Sequence, residues 1–358
     1  MPDRLTDTWR LGPYEIPNRV LLAPLAGIGT WFVRLQARRH GAGMATSEMV
    51  SSFAIHHRNE KTMTELLRIH PDEHTSGPPA PVAIQLFGQD PDVMRSAAET
   101  VAQAGAGVID LNMGCPVPKV CKTGAGAALI KDPDTAVAVA RAAVQGSGLP
   151  VTVKLRSGQR PGETDGYDLA HRLVAEAGVA AIGFHPRSAA VHHKGTPDYD
   201  LAARLVASLD APVVLTGGLH TKAEIDAAYE RTGAAAVMLA RGSLGNPWLF
   251  EQVLGRREGE PAPDEVHAEL DWLIDRAVEH LGEPRAARWL RKAYPWYVPR
   301  MAPQGLVKDL NEALQRTSSI RDARSLLVAT MPRPNATRSD PHSRRPRQAE
   351  GRARTAVR

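Results

Sequence analysis

The sequence predicts an α/β fold with a parallel sheet closed into a (β/α)₈ barrel. Eight short apolar runs alternate with amphipathic segments over residues 20–250. Such alternation is typical of a parallel sheet, and eight units over roughly 230 residues fit the barrel, with an open doubly wound sheet as the alternative. The eight predicted strands are Val20–Leu22, Met44–Thr46, Val82–Leu86, Val108–Leu111, Val151–Leu155, Ala181–Phe184, Val213–Leu215 and Ala235–Leu239.

Polar residues or glycines follow every predicted strand. Active sites in these barrels lie at the carboxyl ends of the strands, so the groups that follow the runs should meet at one rim. Because every predicted strand is followed by such a group, the pattern favours the barrel and predicts an active site at this rim. The groups are Pro24–Gly27, Ser47-Glu48, Gln85, Asn112, Lys154, His185, Thr216-Gly217-Gly218 and Arg241-Gly242.

Helices are predicted between the strands and after them. Asp92–Ala104, Asp134–Val144 and Lys222–Tyr229 carry apolar residues at helical spacing, and strand-like runs end near Trp248. Residues 264–281 and 284–328 are predicted to be helical, with one apolar stripe in the first of them: Leu270, Leu273, Ile274, Ala277 and Leu281. We therefore predict a barrel domain over 1–251, a small all-α domain over 252–330 and a disordered basic tail over 331–358.

Composition excludes several classes of protein. The chain has 358 residues, of which 43% are hydrophobic, enough for one large core. It has two cysteines, too few for a disulfide framework, and its start does not resemble a signal peptide. No apolar run is long enough to span a membrane. We expect a cytoplasmic protein without a metal site, since no His, Cys, Asp and Glu spacing suits one.

The net charge of +5 is concentrated at the C-terminus. Residues 331–358 carry +6, whereas the other 330 residues carry −1. A Pro- and Arg-rich segment of this kind cannot bury a core. It either adds electrostatic affinity for RNA or is a neutral extension.

The segment Asp110-Leu111-Asn112-Met113-Gly114-Cys115-Pro116 carries the strongest chemical signal. It places a thiol just beyond a buried strand. A cysteine with an ordinary pKa near ~8.5 is protonated at neutral pH and suits a general acid. A nucleophile with a lowered pKa is the other catalytic option, and a buried inert thiol is the alternative to both.

Lys154 lies within the apolar run Val151–Leu155. A lysine there is costly unless it contacts an anionic or electron-rich ligand such as a flavin ring. The alternative is a lysine whose stem reaches the rim.

Glycine-containing turns after the last two strands indicate a phosphate site. Thr216-Gly217-Gly218 and Ala240-Arg241 occupy positions where barrel enzymes bind phosphate on backbone N–H groups, and His185 precedes another cation, Arg187. No G-x-G-x-x-G follows the first strand, so a tightly held dinucleotide is not indicated.

These residues belong to a set of motifs that resembles the tRNA-dihydrouridine synthases, most closely the bacterial B subfamily. The resemblance covers residues 9 to 328, and the cysteine motif with its following glycine loop is highly specific. The matching segments are Ala23–Gly27, Thr46–Met49, Gln85–Gly88, Asp90-Pro91, Ile109–Pro116, Lys119-Val120, Gly124–Leu129, Pro150–Lys154 and Gly245–Trp248.

The resemblance implies an FMN-dependent enzyme that reduces the C5–C6 bond of particular tRNA uridines, with NADPH or NADH as reductant. It implies that Cys115 protonates C5, that Asn112 holds the base, and that the helical domain grips tRNA. No protein partner is indicated, so we expect a monomer. The resemblance places FMN on Pro24, Leu25, Ala26, Gln85, Lys154, His185, Thr216, Gly217, Gly218, Ala240 and Arg241; basic residues at Arg285, Arg288, Arg291 and Lys292 are expected to contact tRNA.

The sequence departs from the family pattern mainly on the expected phosphate side. Pro186 replaces a glycine, Thr216 and Gly218 replace Asn and Asp, and Ala240 replaces a glycine. Two other functions stay open: a small-molecule FMN oxidoreductase of the dihydroorotate-dehydrogenase type, and a non-catalytic tRNA-binding protein. A basic aromatic segment at 285–308 speaks against the first, and an intact Cys115 speaks against the second.

Overall fold

The structure, a computed structural model, describes residues 4–75 and 79–329. The predicted tail at 331–358 lies outside these residues. The strands are β1 (Trp9–Leu11), β2 (Tyr14–Ile16), β3 (Val20–Leu22), β4 (Ala45–Thr46), β5 (Val50–Ser51), β6 (Val82–Phe87), β7 (Val108–Met113), β8 (Val151–Arg156), β9 (Ala181–His185), β10 (Val213–Thr216) and β11 (Ala236–Leu239).

Eight of these strands close into a parallel barrel. The order around the barrel is β3, β4, β6, β7, β8, β9, β10, β11 and back to β3, and every neighbouring pair is parallel. The short β5 adds a parallel extension beside β6. The predicted (β/α)₈ barrel is therefore confirmed, and the open sheet is excluded.

Helices follow the barrel strands as predicted. Several begin at a side-chain cap: Asp90 accepts the N–H of Val93, and Thr221 forms a capping box with Glu224. The helices up to the end of the barrel are α1 (Trp31–Arg39), α2 (Ser52–His56), α3 (Asp72–Thr75), α4 (Pro91–Gln103), α5 (Pro118–Cys121), α6 (Pro133–Ser147), α7 (Asp165–Ala177), α8 (Tyr199–Ser208), α9 (Lys222–Thr232) and α10 (Trp248–Val253), with a π-helical turn at Thr62–Leu66 and 3₁₀ turns at Gly126–Lys131 and Arg241–Ser243.

The chain after the barrel is helical. The predicted stripe on the first of these helices is buried at Leu270, Leu273, Ile274 and Ala277, and it joins the barrel helices in one continuous hydrophobic cluster. The helices are α11 (Pro263–Leu281), α12 (Glu283–Leu290), α13 (Tyr294–Met301), α14 (Val307–Arg316) and α15 (Ile320–Ala329), with a 3₁₀ turn at Gln304–Leu306.

Buried polar groups join the helical segment to the barrel. The Gln36 amide of α1 donates both to the Tyr297 hydroxyl of α13 and to the Glu269 carboxylate of α11, each at 2.9 Å. Desolvated hydrogen bonds of this kind fix one relative placement of the packed helices. Within the described part of the chain, no helix is long and apolar enough to cross a membrane.

A β-hairpin that the sequence analysis did not predict closes the amino-terminal end of the barrel. β1 and β2 pair antiparallel, and Trp9, Leu11 and Ile16 join the inward-facing residues of the barrel in a second cluster. The same cluster reaches Ala23 and Met238 near the other end. The interior is therefore a filled core, and any ligand must bind above Ala23 and Met238.

Ile16→Ala should destabilise the barrel by about 2–5 kcal/mol, because Ile16 is fully buried in the closing hairpin and its loss leaves a cavity. Urea unfolding followed by far-UV circular dichroism measures the change. Glu15→Ala on the same strand is the control, since Glu15 is exposed. An equal midpoint for the two variants would contradict the role given to the hairpin.

Candidate functional site

One cleft opens at the carboxyl ends of the barrel strands. Its empty volume, with the open mouth included, is about 1200 Å³, and Ala23 and Met238 form part of its floor. The predicted catalytic and cofactor-binding residues, together with Asn112, all line it: Pro24, Leu25, Ala26, Gln85, Asn112, Cys115, Lys154, His185, Thr216, Gly217, Gly218, Ala240 and Arg241. Residues spread over more than 200 positions of sequence thus meet at one site.

The side chain of Asn112 holds the loop that carries Cys115. Its Oδ1 accepts the backbone N–H of Gly114 at 3.2 Å and that of Cys115 at 2.9 Å. The loop is also tied through the Cys115 carbonyl, which accepts the N–H of Ala127 at 3.0 Å and the thiol of Cys121 at 3.2 Å. These bonds fix the half-buried Cys115 at the wall of the cleft.

The environment keeps the Cys115 thiol protonated. Burial raises the pKa of Cys115, and this effect outweighs the opposing influence of a backbone N–H and of the nearby Arg156 and Lys154. A protonated thiol can donate a proton and is a weak nucleophile. Of the roles left open by the sequence, a protonated thiol suits a general acid better than a nucleophile.

Lys154 and Arg156 lie two residues apart on β8, on the face toward the cleft. Burial, together with the neighbouring charge of Arg156, lowers the pKa of Lys154 to about 8. Arg156 donates to the carbonyls of Gly114, Ser188 and His192 at 2.9, 3.0 and 2.7 Å. Arg156 therefore fixes the loops, whereas Lys154 lines the cleft and, among residues 4–75 and 79–329, has no hydrogen-bond role in holding them.

His185 is neutral and closely packed against the loop after β10. Burial, together with the charges of Lys154, Arg156 and Arg187, lowers its pKa well below 6.5. Gly217 has φ +100°, and a Cβ there would stand 2.4 Å from the His185 ring. Only glycine permits both this backbone conformation and this approach.

Backbone amides on the loops after β10 and β11 are candidates for binding an anion. Among the described residues, the N–H groups of Gly217, Gly218 and Arg241 donate no backbone hydrogen bond outside the helices and strands. The Tyr199 hydroxyl donates to the Gly217 carbonyl at 2.9 Å and so fixes the turn. Unsatisfied amides beside a 3₁₀ turn suit a phosphate group.

The charge of the cleft also suits an anion. Within the described residues its lining includes Lys154, Arg156, Arg187 and Arg241 and no carboxylate. The cleft therefore fits a flavin phosphate: cationic side chains surround it, Gly217 and Gly218 offer amides, and Lys154 can face the electron-rich edge of the ring.

The four basic residues predicted to contact tRNA lie outside this cleft and differ in their surroundings. Arg285 forms an ion pair with Glu65, and Arg291 donates to the Thr317 carbonyl at 3.1 Å. Lys292 donates to the Gly27 carbonyl at 3.0 Å, next to the loop at Pro24–Ala26. Arg288 is exposed on α12.

Sequence reasoning assigned no role to several residues of the site. The sequence could have predicted that Arg156 belongs to the site, because it is two positions from Lys154 and therefore on the same face of its strand. Asp110, which lies beneath the cleft, is likewise two positions from Asn112 and on the same face of β7. Met49, whose sulfur lies 3.6 Å from the Asn112 amide nitrogen, and His193, which stacks on His185, lie on irregular segments without such a signal.

The fold and the cleft define an enzyme of the (β/α)₈-barrel class with its reaction site at the carboxyl ends of the strands. The model of the family described as dihydrouridine synthase matches residues 21–329. The chain belongs to this family and is a flavin-dependent oxidoreductase.

Two relatives of the chain share a name. It is 35% identical over 298 residues to tRNA-dihydrouridine synthase B of Xanthomonas axonopodis pv. citri (strain 306), covering 80% of this chain and 86% of the relative. It is 33% identical to tRNA-dihydrouridine synthase B of Pseudomonas aeruginosa (strain PAO1), covering 81% and 86%.

Solved structures with this fold are more distant in sequence. Morphinone reductase superposes with a TM-score of 0.54 at 17% identity, covering 74% of this chain and 93% of that one. A 2-naphthoyl-CoA reductase complex gives 0.57 at 12% identity, covering 72% and 53%. These likenesses show the fold alone.

Gly217→Ala should weaken flavin binding about tenfold, because the strained backbone and the displaced His185 together cost about 1–3 kcal/mol. Fluorescence titration of the apoprotein with flavin measures the affinity. Gly178→Ala is the matched control: it also has positive φ, but a Cβ there meets nothing within 4 Å. Equal affinities in the two variants would contradict the packing argument.

Proposed function

We propose that this protein reduces the C5–C6 bond of specific uridines in tRNA, with FMN as its resident cofactor and NADPH or NADH as reductant. The observation that carries the proposal is the Cys115 thiol, fixed by Asn112 at the wall of a cationic cleft. Family membership supports tRNA as substrate, and the relatives named above are of the B type.

FMN fits the residues that the cleft brings together. We infer that Lys154 faces its ring, that Gln85, His185 and the loop at Pro24–Ala26 surround it, and that Gly217, Gly218 and Arg241 hold its phosphate. Bound there, the cofactor would supply a hydride to C6 of the base.

The departures from the family pattern are compatible with this arrangement. The Thr216 hydroxyl donates to the Met238 carbonyl at 3.0 Å, so it acts within the barrel. The phosphate side would rely on backbone amides of Gly217, Gly218 and Arg241, which substitutions at Thr216, Gly218 and Ala240 leave in place. Arg187, which follows Pro186, adds charge.

The protein residues carry out the proton chemistry. Cys115 donates its proton to C5 of the base, and Asn112 keeps the thiol in position while flanking the base. The target uridine must leave its stack to enter the cleft, as in other enzymes that act on a base. Lys154, a cation at neutral pH, stabilises negative charge on the ring edge.

We assign catalysis to residues 1–251 and tRNA binding to residues 252–330, and we expect a monomer working in the cytoplasm, where tRNA is found. Arg285 and Arg291 are engaged within the protein, so exposed Arg288 is the first residue to test for a phosphate contact. The role of the tail at 331–358 is a separate question, since it lies outside the described residues.

Cys115→Ala should lower dihydrouridine formation by about 10²–10⁴-fold, because it removes the general acid. Flavin content and flavin reduction by NADPH should be unchanged. The measurement is dihydrouridine per tRNA by mass spectrometry of nuclease digests. Cys121→Ser is the matched control, since serine keeps the donor to the Cys115 carbonyl.

Unchanged turnover in Cys115→Ala would remove Cys115 as the acid. If wild-type flavin is reduced by NADPH and no tRNA product forms, the small-molecule function replaces the proposed one. A protein that binds tRNA without flavin would favour the non-catalytic function.

Arg288→Glu should weaken tRNA binding and lower the slope of log affinity against log salt by about 1, as expected for one lost phosphate contact. Filter binding at several salt concentrations measures both quantities. Arg204→Glu on α8 is the control for an equal change in net charge at another exposed site. Identical slopes in the two variants would contradict a tRNA contact at Arg288.

A further inference from the structure

Asp110 is a buried carboxylate beneath the cleft that the mechanism above does not use. It lies on β7, two residues before Asn112, and its side chain is almost fully buried. Its Oδ2 accepts the Gln85 amide at 2.6 Å, and its Oδ1 accepts the Thr152 hydroxyl at 2.6 Å. Both oxygens of Asp110 are thus acceptors.

This arrangement determines which way two side-chain amides face. An ionised carboxylate only accepts hydrogen bonds, so the NH₂ group of Gln85 must point at Asp110. The Gln85 oxygen then faces Asn112 and accepts its amide at 2.9 Å. The Asn112 oxygen is therefore left to accept the N–H groups of Gly114 and Cys115.

The side chains of Asp110, Gln85 and Asn112 and the Cys115 loop thus form one series of hydrogen bonds. Reversal of either side-chain amide would break this series. If Gln85 turned its oxygen to Asp110, two acceptors would meet, and its NH₂ would meet the NH₂ of Asn112. If Asn112 then turned, its NH₂ would face two backbone N–H groups. Donor–donor and acceptor–acceptor contacts in a buried site are costly, so one orientation is selected.

We propose that Asp110 is a positioning residue, which orders the Cys115 loop through the amides of Gln85 and Asn112. It acts at a distance from the thiol: Asp110 does not line the cleft, whereas Gln85, Asn112 and Cys115 do. This role rests on the hydrogen-bond geometry, and only its kinetic consequence rests on the proposed function.

The charge state of Asp110 is consistent with this role. Burial raises its pKa to about 6, against the lowering effects of Thr152, Gln85 and Lys154, the charged group that faces it from β8. The carboxylate is therefore ionised at the slightly alkaline pH at which the experiment is done.

The test measures how fast iodoacetamide alkylates Cys115 at pH 8 in a Cys121→Ser background. The chain has two cysteines, so this background reports the Cys115 thiol alone. Asp110→Leu, similar in size and without an acceptor, should release the loop and raise the alkylation rate by roughly fivefold or more. The conservative Asp110→Asn should stay within about twofold, because its oxygen can still accept the Gln85 amide while its NH₂ donates to Thr152.

Thr152→Val is the matched control, because it removes the other hydrogen bond to Asp110 and leaves the bond to Gln85. Its rate should stay within about twofold of the parent. Gln85→Met, which breaks the series in the middle and keeps Asp110 paired with Thr152, is the second variant should Asp110→Leu not fold. It should raise the rate as Asp110→Leu does.

An unchanged alkylation rate in Asp110→Leu or Gln85→Met would overturn the proposal, as would an equal rise in Thr152→Val. A second readout separates positioning from general damage: NADPH should still reduce the flavin in the Leu variant, whereas reoxidation by tRNA should slow. If the wild type makes no dihydrouridine, the proposed function fails, and the alkylation rates still decide the role of Asp110.

Discussion

The hydrogen bonds from the Gly114 and Cys115 amides to the Asn112 side chain are the interaction on which the rest of the site depends. They turn the chain sharply at the end of β7 and place the thiol at the wall of the cleft. Without them, the loop would be held only through the carbonyls of Gly114 and Cys115, and the thiol would be positioned less precisely. A proton donor is effective only when it is held within hydrogen-bonding reach of its target. The barrel supplies the rigid frame, and Asn112 transfers that rigidity to the loop.

Burial shifts the pKa values of the titratable side chains in the cleft in different directions. It raises the pKa of Cys115 and lowers that of Lys154 to about 8. At neutral pH the first is a neutral acid and the second is still a cation. A proton donor and a positive charge can therefore coexist within one cleft. The same burial keeps His185 neutral, so its ring can pack against Gly217.

The hydrophobic pattern predicted the barrel strands well, because a strand buried on both faces must be an apolar run. It could not predict the closing hairpin, since β1 and β2 have three residues each and alternate too briefly to be distinguished from a loop. The predicted stripe of α11 was confirmed, because a long amphipathic helix repeats its signal over several turns.

For the site, residue types at strand ends were enough to predict the cleft residues, since a closed barrel forces those ends together. The sequence could not show that Arg285 and Arg291 are engaged within the protein, because their partners Glu65 and Thr317 come close only in the folded chain. The orientation of the Gln85 and Asn112 amides likewise could not be predicted from the sequence, since it depends on which donors and acceptors lie next to each other in the folded chain.

The most direct test of the account is to react unmodified tRNA with the purified protein and NADPH in D₂O and to locate solvent deuterium in the product. The account predicts dihydrouridine in which one of the two hydrogens at C5 is solvent-derived deuterium, placed on a single face of the base by the thiol. Deuterium spread over both faces of C5, or a protein whose flavin NADPH reduces while tRNA stays unchanged, would contradict it.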